Sequence, residues 1–85
     1  MARYELRFKP SVSKDLRGIP RVEVGRILGR IDSLRDDPRP QGAEKLSTQE
    51  RYRVRTGDYR ILYTVADAEA TVEIVKVGHR RDVYR

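Results

Sequence analysis

Eighty-five residues, 38% hydrophobic and 38% charged, supply one domain (residues 1–85) around a single modest core. With no cysteine, disulfides, thiol nucleophiles and thiolate metal sites are excluded; with no long apolar run, a signal peptide and a membrane span are too, so a cytoplasmic protein is expected. The formal charge of +6, carried by 15 arginines and 4 lysines, points to an anionic partner, because arginine's planar fork matches phosphate.

Tyr4, Leu6 and Phe8 alternate with Arg3, Glu5 and Arg7, the period of a half-buried strand. Pro10 and Ser11 open a short helix with Val12, Leu16 and Ile19 facing inward, and Gly18 and Pro20 break it. Val24, Ile27, Leu28, Ile31 and Leu34 then form one stripe of a second helix that runs to about Asp36. Gly25 and Gly29 lie inside it, each unfavourable by about 1 kcal/mol relative to alanine, so both are expected to face the first helix closely. Residues 37–50, with Pro38, Pro40 and Gly42, read as a loop with a short extended piece near Lys45 and Leu46.

Residues 51–56 and 59–66 read as strands joined by the two-residue turn Gly57-Asp58. A second turn at 67–70 leads to a strand over 71–77, which Gly78 ends, leaving a basic tail from His79. The expected fold is α+β. An N-terminal strand and a two-helix hairpin pack on one face of a mostly antiparallel four-stranded sheet, in the order β-α-α-β-β-β.

Basic charge is clustered. Residues 51–60 hold four arginines against Asp58, residues 61–75 hold three acids and no base, and residues 76–85 are basic again. A Gly57-Asp58 turn pairs Thr56 with Tyr59, Arg55 with Arg60 and Val54 with Ile61. Tyr52, Val54, Thr56, Tyr59, Ile61 and Tyr63 then face the helices, and Arg53, Arg55, Arg60 and Leu62 face away. Arginines directly opposite one another destabilise a strand pair, so their retention favours a cradle for phosphate oxygens over an ordinary solvated surface.

If the last strand pairs beside this hairpin, it delivers Arg80, Arg81 and Tyr84 near the same face. Tyr84 suits stacking on an exposed base of single-stranded RNA, or equally an anchor for the C-terminus. His79, the single histidine, is a candidate RNA contact or base. The acids are scattered, and Glu73 and Lys76, three apart on a strand, are expected on opposite faces. No metal, nucleotide or flavin signature is present, and no triad assembles around His79. RNA cleavage on such a surface would be metal-independent. The RNA's own 2′-hydroxyl attacks the phosphate, cations stabilise the oxyanion and one group protonates the leaving 5′-oxygen.

Three runs carry a resemblance: Tyr52-Arg53-Val54-Arg55, Gly57-Asp58-Tyr59-Arg60-Ile61-Leu62-Tyr63 and Val77-Gly78-His79-Arg80-Arg81-Asp82-Val83-Tyr84. They resemble the RelE/ParE toxin superfamily, the RelE branch more closely. The resemblance implies a toxin held by a cognate antitoxin, cleaving messenger RNA in the ribosomal A site without metal or small-molecule cofactor. By position it assigns the basic pair of the second strand to Arg53 and Arg55 and the transition-state arginine to Arg60. Arg80 matches the arginine proposed as general acid, and Tyr84 the tyrosine that stacks on a base. Arg53 and Arg55 stand where the RelE pattern has lysines. Arginine stays protonated at ordinary pH, so it can orient and neutralise but not accept the proton. The alternatives are a ParE-like gyrase inhibitor and an RNA- or ribosome-binding translation inhibitor that does not cut.

Overall fold

The computed structural model describes residues 3–46 and 50–83. Strand β1 (Glu5–Phe8) leads into α1 (Pro10–Arg17), where Pro10 takes the first helical position because its missing N–H has no partner to lose there. Helix α2 (Arg21–Ser33) follows Pro20 and is continued by a turn at residues 34–36. Ile27, Ile31 and Leu34 are buried, as is Val12 of α1. The apolar stripe of α2 is narrower than its spacing suggests: Leu28 is 42% exposed. Nor do Gly25 and Gly29 mark a helix–helix contact. A Cβ at either position would meet nothing within 4 Å, so both look out on open space.

The strands after α2 are β2 (Glu44–Lys45), β3 (Arg51–Thr56), β4 (Tyr59–Ala66) and β5 (Thr71–His79). The sheet has five strands in the order β1-β5-β4-β3-β2 and is mixed, where four mostly antiparallel strands were expected. Two local facts explain the difference. The helical pair returns the chain so that β1 lies parallel to β5, with Glu5 beside Thr71 and Phe8 beside Ile74. The two-residue β2, too short for any alternation to signal it, adds Glu44 beside Arg53 at the other edge.

The turn chemistry at Gly57 held. Gly57 has φ +59°, and the register pairs Thr56 with Tyr59, Arg55 with Arg60 and Val54 with Ile61. Val54, Ile61 and Tyr63 are fully buried under the helices, and Tyr52 stacks on Tyr63 at 5.8 Å. The Tyr63 hydroxyl donates to the Pro38 carbonyl at 2.8 Å, and burial pushes its pKa up to about 12.

Beyond Tyr52 lies a polar latch. Arg39 donates twice to Asp67 (2.8 and 3.1 Å), once to Glu50 (3.1 Å) and once to the Tyr52 hydroxyl (2.8 Å). Tyr4 donates to the same Asp67 at 2.7 Å. The Arg39 hydrogen bonds, then that of Tyr4, hold the Asp67 carboxyl down at about 2.

Strand β5 differs from its expected form in two respects. Leu62 pairs with Lys76 but Tyr63 with Ile74, so Val75 is an extra residue, a β-bulge. The bulge resets the alternation and puts Glu73 and Lys76 on the same face, not on opposite ones. The strand also continues past Val77, because Gly78 and His79 pair with Arg60 and Tyr59. Past the end of β1, the Val77 N–H has no strand to bond, and Asp15 of α1 accepts it at 3.1 Å.

Candidate nucleic-acid interface

One face of the sheet carries the core. The opposite face, among the described residues, is left open by the helices. Alternation along β3 and β4 assigns Arg53, Arg55 and Arg60 to this open face, and the 3–4 register brings Arg55 directly opposite Arg60. Arg55 has 61% of its side chain exposed and Arg53 only 18%. Arg60 is half-buried, with one terminal nitrogen 3.4 Å from the Tyr59 carbonyl. Leu62 lies between Arg53 and Lys76 in the register and is only 9% exposed although no helix covers it.

An acid does sit among the arginines, supplied by the edge strand. Glu44 accepts from Arg53 through one carboxylate oxygen, and its other oxygen is 3.6 Å from Arg55. Reading the sequence missed Glu44, since it lay in a stretch read as loop. Its one signal was its place beside the short extended piece expected near Lys45 and Leu46.

The C-terminal turn completes this end of the sheet. The Arg80 N–H donates to the Asp58 carbonyl at 2.8 Å, so the backbone of Arg80 is fixed to the tip of the β3–β4 hairpin. Val83 folds back over Gly78, and a Cβ on Gly78 would lie 3.6 Å from it. Gly78 pairs with Arg60, so this contact is on the open face, and the turn at 80–83 curls over the arginine side. Val83 is 3% exposed there, while Arg80 and Arg81 are exposed.

The sequence-derived residues therefore divide. Arg53, Arg55 and Arg60 share one face, and the turn bearing Arg80 and Arg81 is docked at its end. Tyr84 lies outside the described residues. His79 is set apart: it pairs with Tyr59, its ring meets the Tyr59 ring edge-on at 5.7 Å, and both line a helix-side cleft with Glu23, Arg26 and Asp58. Among the described residues no three metal-ligating side chains converge.

A mixed sheet with two helices on one face and an open basic face on the other defines a small toxin domain of the RelE kind. The family described as ParE toxin of type II toxin–antitoxin system, parDE, matches residues 6–84, and the chain belongs to this RelE/ParE superfamily of type II toxins. Toxin RelG of Mycobacterium tuberculosis is 32% identical over 87 residues, spanning 96% of this chain and 97% of RelG. The toxin–antitoxin complex RelBE2 of the same organism matches with a TM-score of 0.80 at 27% identity, over 92% of this chain and 99% of that one. The archaeal RelE–RelB complex of Pyrococcus horikoshii OT3 matches at 0.81 and 26% identity, over 95% and 99%.

Proposed function

We propose that this toxin is a metal-independent, ribosome-dependent endonuclease that cuts messenger RNA in the A site and is silenced by a cognate antitoxin. The observation that carries the reading is the gathering of Arg53, Arg55 and Arg60 on an uncovered sheet face, with Arg80 tied by its backbone to the same hairpin tip. In the reaction the RNA 2′-hydroxyl gives up its proton to solvent water as its oxygen attacks the adjacent phosphorus, the bond to the 5′-oxygen breaks, and a 2′,3′-cyclic phosphate and a 5′-hydroxyl result. Arg60, supported by Arg53 and Arg55, stabilises the charge on the phosphate oxygens, and Arg80 is the candidate donor to the leaving 5′-oxygen. Tyr84 is assigned to base stacking by the family pattern alone. The neighbours crystallised with RelB support an antitoxin partner.

The test is translation of a defined message with and without the purified protein in the presence of a chelator that spares the ribosome, followed by mapping of new 5′ ends. Cuts within A-site codons support the nuclease. Blocked translation without cuts supports a binder, a reading favoured by the Glu44 carboxylate, which already engages two of the arginines. An effect on DNA supercoiling alone would replace both with a gyrase inhibitor.

A further inference from the structure

The turn at 80–83 has four backbone amides, and their partners are all accounted for. Arg80 N–H goes to Asp58; Arg81 N–H goes to the His79 ring nitrogen Nδ1 at 3.2 Å; Asp82 and Val83 N–H go to the His79 carbonyl at 2.8 and 3.0 Å. Three of the four amides therefore rest on one residue. The His79 ring can serve as acceptor only with its hydrogen on Nε2, and the edge-on contact with Tyr59 holds it in that orientation on the helix side. The geometry is a histidine version of the turn in which an Asx side chain accepts the N–H two residues on.

We infer that His79 is a positioning residue: it holds the turn that presents Arg80 to the arginine face and does not itself touch RNA. This rests on the nuclease reading above and adds to it the element that sets Arg80 in place. His79 reaches the open face only through the backbone it organises. Removing the ring leaves the Arg81 amide without its acceptor and loosens the turn at the residue next to Arg80, while the His79 carbonyl still accepts from Asp82 and Val83.

Three measurements test this on His79→Ala and His79→Asn: single-turnover cleavage of ribosome-bound message, affinity for a message carrying 2′-deoxy sugar at the scissile position, and amide exchange at Arg81. His79→Ala is expected to slow cleavage roughly tenfold to a hundredfold, as a misplaced group does, while affinity stays within about threefold. The Arg81 amide loses protection in the same variant. His79→Asn, whose side-chain oxygen can close the same turn, restores protection and most of the rate. Unchanged cleavage by His79→Ala overturns the proposal. So does an Asn variant that regains the Arg81 protection but not the rate, since the ring would then act directly. If the unaltered protein cuts nothing, the nuclease reading fails, and His79 is judged by exchange alone: an Arg81 amide equally protected in His79→Ala removes it as the holder of the turn.

Discussion

Arg55 and Arg60 face each other across the β3–β4 ladder, and Glu44 reaches only the Arg53–Arg55 side of the group. Among the described residues no carboxylate pairs with Arg60, so a bound phosphate would relieve most repulsion there. Arg60→Ala and Arg80→Ala are each expected to abolish message cleavage while leaving the circular dichroism spectrum and thermal midpoint near those of the parent; retained cutting in both would dismiss the assigned site. Glu44→Gln removes the carboxylate paired with Arg53 and Arg55 and is expected to tighten RNA binding at fixed salt in a filter-binding assay. Looser binding would mean that Glu44 organises the arginines for RNA and does not compete with it. Asp67 gives the pH dependence. Its pKa is depressed to about 2 by Arg39 and Tyr4, so its contribution to stability is present above the ordinary carboxylate range and lost as pH falls through about 2. Asp67→Asn should lower the thermal midpoint at neutral pH, and the gap to the parent should close as the pH falls from about 4 towards 2.

Helix α2 makes the most direct stability prediction among the elements. Gly25 and Gly29 face open space in a helix interior, so alanine at each should stabilise by about 1 kcal/mol, or some 4–8 °C in thermal midpoint for a domain of this size. A drop in the midpoint would mean that a neighbour does press on those positions. The hairpin register was legible because Gly57 supplies the left-handed φ that a two-residue turn needs, and the turn then dictates every pair beyond it. Other features left no trace along the sequence. The bulge at Val75 is a mismatch between two strands, visible only when both are laid side by side. Strand β2 is two residues long, and the parallel β1–β5 pairing joins distant segments that no local pattern links. Clustered arginines could be read directly, whereas the helix-side placement of His79 depended on how far β5 extends.

At the scale of the whole molecule, the two sheet faces divide the labour: one is sealed by the helices and the other is left for charge. Three phosphate contacts on single-stranded RNA would give log K against log salt a slope of about −2, and each single arginine-to-alanine change at Arg53, Arg55 or Arg60 should flatten it by about 0.7. A slope unaffected by all three changes would move RNA binding elsewhere. The pairing of β1 with β5 has a consequence in time as well as in space. Glu5 must wait for Thr71, 66 positions later, before its ladder can close. At typical synthesis rates of about 5–20 residues per second that delay is roughly 3–13 s. A nascent chain thus lacks β5, the strand between β1 and β4, and with it the docked turn of Arg80, until those residues have been made. The docked turn of Arg80 joins the arginine face only after that delay, an interval in which an antitoxin can already be waiting.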